Sequence, residues 1–135
     1  MPSFAKRRAV HLRLGQRGER LAVRLLRELG LDILARNYRG PHGEIDIVAR
    51  DQGMLCFVEV KTRRRAWLSR PADAVRGAKR RNLIHTAHRY LRELTNPELP
   101  YRYDIVEALL DRWRLRELRY WRGAFTEPAE HPRRR

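Results

Sequence analysis

An α/β domain built on a mixed β-sheet is the fold class this sequence predicts, and three observations carry that reading. Two stretches have the apolar spacing of amphipathic helices, one near the start and one past the middle. Three short strand-like runs lie between them, separated by Gly-rich turns. The second helical stretch lies between the third and fourth strand-like runs and is long enough to be the crossover that a parallel strand pair requires. The predicted order is αβββαβ, with a possible fifth strand at the end and two helices flanking the sheet.

The elements follow in chain order. From Gly15 to Gly30, Leu21, Ala22, Leu25, Leu26 and Leu29 lie on one helix face, and Gly30 is placed to end the helix as its C′ residue. Leu31 to Arg39 reads as a short strand closed by Gly40-Pro41-His42-Gly43. Glu44 to Arg50 is the second strand, and Asp51-Gln52-Gly53 turns it into a third, Met54 to Lys61, which is apolar on both faces until its last three positions. Thr62 to Arg70 is a basic loop. From Pro71 the helical period returns with Ala74, Val75, Ala78, Leu83, Ile84, Ala87, Leu91 and Leu94, and Asn96-Pro97 stops it. Tyr101 to Leu109 reads as the fourth strand and Arg112 to Tyr120 as a fifth. By this reading, residues 1–13 are a basic N-terminal segment, 14–125 the folded domain, and 126–135 a flexible C-terminal tail.

Composition narrows the function classes. With 135 residues the chain has room for one domain, and at 42% apolar and 35% charged residues it is neither disordered nor membrane-embedded. No 18-residue apolar run or secretory leader is visible, and the lone Cys56 allows no internal disulfide, so a reducing cytoplasm is expected. Lys plus Arg number 31 against 16 acids, giving a formal net charge of +15 that is almost all arginine. Guanidinium groups suit bidentate phosphate contacts, so nucleic acid is the expected partner. Nine cations lie between Lys61 and Arg81 against one acid, Asp73. Among them Arg63, Arg64, Arg65, Arg70, Arg76, Lys79 and Arg80 are the candidate phosphate contacts. A charge run is more often a solvated face, but this one flanks an acidic cluster. No phosphate-binding loop, nucleophile elbow or dinucleotide turn is present.

The scarce acids are the informative residues. Strand alternation sends Ile45, Ile47 and Ala49 to one face and Glu44 and Asp46 to the other, while Glu59 and Lys61 share a face at the end of a buried strand. Burying such groups costs several kcal/mol per ion, on the order given for desolvated charges, unless they are paired or hold a cation. A hairpin register that pairs Arg50 with Leu55 also sets Asp46 opposite Glu59 and Glu44 opposite Lys61. Two carboxylates in that position repel, and a divalent metal between them is the best remedy; the competing reading is a structural ion-pair network. His85 and His88 at i, i+3 lack the further ligands of a zinc site.

Gly43-Glu44-Ile45-Asp46 followed by Phe57-Val58-Glu59-Val60-Lys61 resembles the PD-(D/E)xK nuclease signature, with Glu44-Ile45-Asp46 standing where the signature has Pro-Asp. Together with Gly18-Glu19-x-Leu21-Ala22, Arg36-Asn37-Tyr38-Arg39 and Tyr103-Asp104-Ile105-Val106, the pattern is similar to the bacterial YraN-like family of predicted nucleases, itself similar in fold to archaeal Holliday-junction resolvases. The resemblance implies a restriction-endonuclease-like fold and an Mg²⁺- or Mn²⁺-dependent endonuclease. It implies that Asp46, Glu59 and the carbonyl of Val60 ligate the metal and that Lys61 orients the attacking water. Glu19 corresponds to a helical acid acting through a water or a second metal. DNA is the expected substrate, branched or single-stranded structure included; a homodimer or a protein partner needed for activity stays open. The alternative is a non-catalytic nucleic-acid-binding module using its basic face alone.

Overall fold

The computed structural model describes residues 4–64, 77–95, 98–112 and 114–128, with side chains described from residue 13 onward. Seven elements alternate as the sequence predicts: α1 (Phe4–Glu28), β1 (Asp32–Gly40), β2 (Gly43–Asp51), β3 (Met54–Arg63), α2 (Ala78–Glu93), β4 (Tyr101–Asp111) and β5 (Arg114–Phe125). The strands form one sheet in the order β1-β2-β3-β4-β5. All neighbours are antiparallel except β3 and β4, and α2 makes the crossover between that parallel pair. The predicted α/β class, mixed sheet and two flanking helices are present, and the architecture is compatible with a restriction-endonuclease-like core.

Each helix covers one face of the sheet. Ala22, Val23 and Leu26 of α1 pack with Ile47, Ala49, Cys56, Val58 and Val106. Leu83, Ala87 and Leu91 of α2 pack with Ile45, Val48, Phe57, Tyr103, Ile105 and Phe125. The C-terminus of α1 is a Schellman cap. Gly30 takes φ 89°, its N–H donates to Arg27 O, and Leu31 N–H reaches back to Leu26 O at 2.9 Å. Leu26 and Leu31, at C3 and C″, are both buried in the same cluster.

Several boundaries differ from the sequence reading: β3 continues through Thr62 and Arg63, expected as loop, and β4 continues to Asp111, while others have a visible local cause. The first helix starts at Phe4, not Gly15, because Phe4–Leu14 contains no Pro or Gly to break it. The second helix is described from Ala78, where Gly77 takes φ 52°, a left-handed conformation that cannot continue an α-helix; the expected start at Pro71 lies outside the described residues. The expected helical positions Ala74 and Val75 lie outside the described residues. The fifth strand begins at Arg114 because Arg112 occupies the turn at φ 57°. It runs on to Phe125 because Gly123, at φ 58°, absorbs a register shift against β4. Of the expected tail, residues 126–128 are described, and Glu127 there accepts hydrogen bonds from Tyr103 OH at 2.6 Å and Tyr101 OH at 3.0 Å. Among the described residues, no helix is long and apolar enough to cross a membrane.

Candidate metal centre

The β2–β3 hairpin pairs Arg50 with Leu55 and Ile47 with Val58, the register expected from sequence. Just beyond the last of these pairs, the backbone N–H of Val60 donates to Asp46 Oδ2 at 2.8 Å. Asp46 therefore lies at the point where β2 leaves β3, and a side chain replaces the next ladder bond. The two carboxylates that the hairpin brings together are Asp46 and Glu59. Burial pushes the Asp46 carboxyl up to about 7, and the charge and hydrogen bonding of Glu59 push the same way.

Simple alternation fails at this point. Ile45 and Val48, three residues apart, both pack with α2, whereas Ile47 and Ala49 pack with α1. The expected common face for Ile45, Ile47 and Ala49 is thus corrected. The cause is visible in the partner strand: Arg36 pairs with Ile47 and Tyr38 with Ile45, which sets Asn37 opposite Asp46, and Asn37 has φ 53°. Asn tolerates this left-handed conformation better than most residues, and it turns both strands beside the acid. The residue stood in the sequence as part of Arg36-Asn37-Tyr38-Arg39, but β-alternation gave no hint of its backbone. Glu44 accepts from Arg39 Nε at 3.0 Å; Arg39, not the expected Lys61, is its ion-pair partner.

Two lysines complete the cluster. Lys79 Nζ, in the first turn of α2, lies 2.6 Å from Glu59 Oε1. Burial lowers the Lys61 pKa, and the neighbouring Lys79 lowers it further against the pull of Glu59 and Asp46. For Lys79 burial also opposes the charge, but the hydrogen bond with Glu59 overrides it and the pKa rises. By sequence Lys79 is a phosphate contact that can also reach the site from the second helix, and its ammonium does meet Glu59 there.

A cleft of about 500 Å³ adjoins this cluster, lined by Leu14, Gly15, Glu19, Asp46, Val60, Lys61, Thr62 and Arg64; Glu59 and Lys79, in contact with Asp46 and Lys61, do not line it. Glu19 reaches it from α1 because Gly18 lets the helix touch β3: a Cβ there would sit 2.0 Å from Thr62 Oγ1. Glu19 Oε1 is buried without a hydrogen-bond partner, its nearest cation Arg36 standing at 3.9 Å. Glu107, opposite Lys61 in the parallel ladder, is fully buried and neither carboxylate oxygen has a hydrogen-bond partner. Sequence reasoning missed it; an acid inside the apolar run Ile105–Leu110 was the available signal.

Among the described residues, no three His, Cys, Asp or Glu side chains form a complete metal cluster of their own. Magnesium does not need one: it binds through one or two carboxylates and keeps waters and substrate oxygens in its remaining positions. Asp46 and Glu59 in contact, with the orphaned Glu19 oxygen near enough to raise the Asp46 pKa, fit that demand.

Of the basic residues, Arg63 ends β3, Arg64 lines the cleft, and Arg80 stacks 4.9 Å over the Phe125 ring. Arg65, Arg70 and Arg76 lie outside the described residues. His88 meets Glu127 at 2.6 Å, a structural contact.

Asp104, on β4 beside Cys56, lies in a network of its own. It accepts from Arg102 Nε at 3.0 Å, Tyr120 OH at 2.6 Å and Gly123 N–H at 2.8 Å.

Comparison with known proteins places the chain in a family. The sequence profile of UPF0102, described as an uncharacterised protein family, matches residues 18–108. The chain belongs to the UPF0102 family. The match contains Gly18, Glu19, Asn37, Asp46, Glu59, Lys61 and Lys79, so the whole cluster lies within the shared region, and it is the YraN-like family that the sequence resembles. A UPF0102 protein of Symbiobacterium thermophilum is 46% identical over 96 residues, covering 71% of this chain and 81% of its own length. One from Nocardia farcinica is 44% identical over 97 residues, covering 72% of this chain and 76% of its own. A third, from Rhodococcus opacus, is 38% identical over 117 residues, 87% of this chain and 99% of its own.

Proposed function

We propose that this UPF0102 protein is a divalent-metal-dependent endonuclease that hydrolyses phosphodiester bonds, with DNA as its substrate. The observation that carries the reading is the contact of Asp46 with Glu59 beside Lys61 and Lys79, at the mouth of a cleft in a chain of net charge +15. Glu59 does pair with Lys79, but Asp46 faces the Glu59 carboxylate and its carboxyl pKa is raised, an arrangement that a divalent cation between the two acids would relieve.

Asp46, Glu59 and the Val60 carbonyl are the residues to hold Mg²⁺ or Mn²⁺, with Glu19 reaching it through water. Bound there, the ion supplies charge neutralisation on the phosphate and a more acidic water. The chain does the rest. The Val60 N–H fixes one Asp46 oxygen, so the other is free to turn into the cleft. Lys61 lines the same cleft and offers its ammonium to the oxygen on which negative charge accumulates. Lys79 holds Glu59 Oε1 and limits its rotation. Arg64, on the cleft wall, is placed to bind a neighbouring phosphate.

The test incubates wild-type protein and Lys61→Ala with labelled duplex, single-stranded, flap and four-way-junction DNA in Mg²⁺, Mn²⁺ or EDTA, reading cleavage beside binding. Metal-dependent cutting that falls by about 10²–10³ in Lys61→Ala, with binding retained, is the expected result, on the scale of losing one charge-stabilising donor. Tight binding without cutting in either metal would overturn the enzyme and leave a nucleic-acid-binding module.

A further inference from the structure

A cluster of arginines outside the cleft lies at the β4–β5 hairpin. Arg112 forms its turn, and Arg114 and Arg116 follow in β5, so three arginines fall within five residues. Together with Asp111 they line a surface depression at the tip. Asp111 is neutralised by Arg116, whose Nη2 lies 2.8 Å from Oδ2. Arg112 and Arg114 are exposed; both charges help hold down the Asp111 carboxyl, though only Arg116 is within ion-pair distance of it among the described residues. The shape of the tip is fixed by backbone and not by its charges. Leu109 pairs with Glu117 but Leu110 pairs with Leu115, so Arg116 is the extra residue of a β-bulge, and Arg112 takes φ 57°. Bulges of this kind re-aim side chains at the ends of sheets.

The position of the tip relative to the cleft gives it meaning. In the parallel ladder Lys61 lies opposite Glu107, and β3 ends at Arg63 opposite Leu109. The β4 strand continues past that end to Asp111, so the hairpin overhangs the same edge of the sheet on which Lys61 and Arg64 lie. Five residues of strand separate the level of Lys61 from Arg112, about 16 Å at ~3.3 Å per residue. At 3.4 Å per base step that spans about five base pairs of a duplex lying along this edge.

We propose that the hairpin tip, through Arg112, Arg114 and the bulged Arg116, is a second phosphate-binding site that grips the backbone of duplex DNA about five base pairs from the bond held in the cleft. This rests on the nuclease reading for its ligand and adds a contact that reading does not contain. Two separated phosphate grips fix the direction of the duplex across the sheet edge, which a single cleft cannot do. The competing role for arginines here is to keep the exposed edge strand β5 from pairing with other chains, and the two roles separate by experiment.

Binding of labelled duplex DNA to the full chain is measured across a salt series in EDTA, for wild type, for Arg112→Gln/Arg114→Gln, and for Arg24→Gln/Arg27→Gln. The last pair removes the same charge from the far end of α1. The hairpin variant is expected to lower the slope of log K against log salt by about 1.8, at about 0.9 for each phosphate no longer neutralised, while the control keeps the wild-type slope. Equal losses in both variants, or an unchanged slope in the hairpin variant with increased self-association, overturn the second site and leave bulk charge or edge protection. A wild-type protein that does not bind duplex DNA overturns the nuclease reading as well.

Discussion

Asp46 and Asp104 are both drawn into the sheet, yet the protein treats them in opposite ways. Asp104 is fully buried and meets a guanidinium, a phenol and a backbone N–H, with Arg102 tied on its other side to Asp51 at 2.9 Å. Burial opposes the Arg102 charge, but its partners Tyr120, Asp51 and Asp104 raise its pKa overall. Even the adjacent Cys56 thiol is pushed up to about 12, by burial first and the Asp104 charge second, so it behaves as an inert apolar group. Asp46 has one backbone donor and a second carboxylate for company. The difference separates a charge that is satisfied internally from one whose surroundings oppose its ionisation, and the second is the one assigned to a metal in the proposed nuclease.

Breaking the satisfied side of that comparison has the largest effect on stability. Asp104→Ala removes one of the two carboxylates that hold the half-buried Arg102, leaving Asp51, and strips the acceptor from Tyr120 and Gly123. Chemical denaturation is expected to show a loss of about 3–5 kcal/mol, the range for removing one partner of a buried pair. A loss below about 1 kcal/mol would mean that the network is ornamental and that the contrast with Asp46 fails.

Much of this was legible in the sequence because patterning, turn residues and capping agreed with one another. Gly30 announced the Schellman cap, and Asp51-Gln52-Gly53 set the register that brings Asp46 to Glu59. The rest depended on features that carry no periodic signal. Asn37 in a left-handed conformation disrupts the alternation beside Asp46, and nothing in a strand pattern marks one residue's φ as positive. Lys79 could be aimed at the site from the second helix, but its specific partner, Glu59, follows only from the placement of the first turn of α2 over β3. Gly77 was overlooked because the flanking residues kept a helical spacing through it. Asp104 could be placed on β4 from its sequence, but its role depends on Tyr120 and Gly123, sixteen and nineteen residues away.

Gly18 sharpens the comparison from the side of α1. Its missing side chain is what allows the helix to rest on Thr62 and present Glu19 to the cleft. In Gly18→Ala the new Cβ meets Thr62 Oγ1, and Thr62 Cβ at 3.2 Å allows little further retreat. Overpacking of this kind costs about 1–3 kcal/mol. Thermal melts should show the loss, and Thr62→Ala added to Gly18→Ala should recover part of it, since the hydroxyl is the closest obstacle. A Gly18→Ala protein as stable as wild type would show that α1 moves freely against β3 and that Glu19 is not held at the site.

The smallest effect tests the unsatisfied acid itself, and its sign is opposite to that at Asp104. The Asp46 carboxyl has a folded pKa of about 7 against an ordinary 3.8, so the folded state holds its proton more tightly than the unfolded one. The associated stability is fully present below about pH 4 and is lost progressively as pH rises through 7. Asp46→Asn keeps an acceptor for the Val60 N–H while removing the charge that Glu59 repels. In EDTA it is therefore expected to be more stable than wild type at pH 8, by about 1–2 kcal/mol after allowance for solvent screening at the open cleft, with the gap closing toward pH 4. Adding Mn²⁺ at pH 8 should narrow the gap from the other direction, because an ion that binds only the folded wild-type site raises its midpoint by mass action and has less to hold in Asp46→Asn. If Asp46→Asn were instead destabilised at pH 8 as Asp104→Ala is expected to be, the two aspartates would be alike, and the site would be one more piece of the fold.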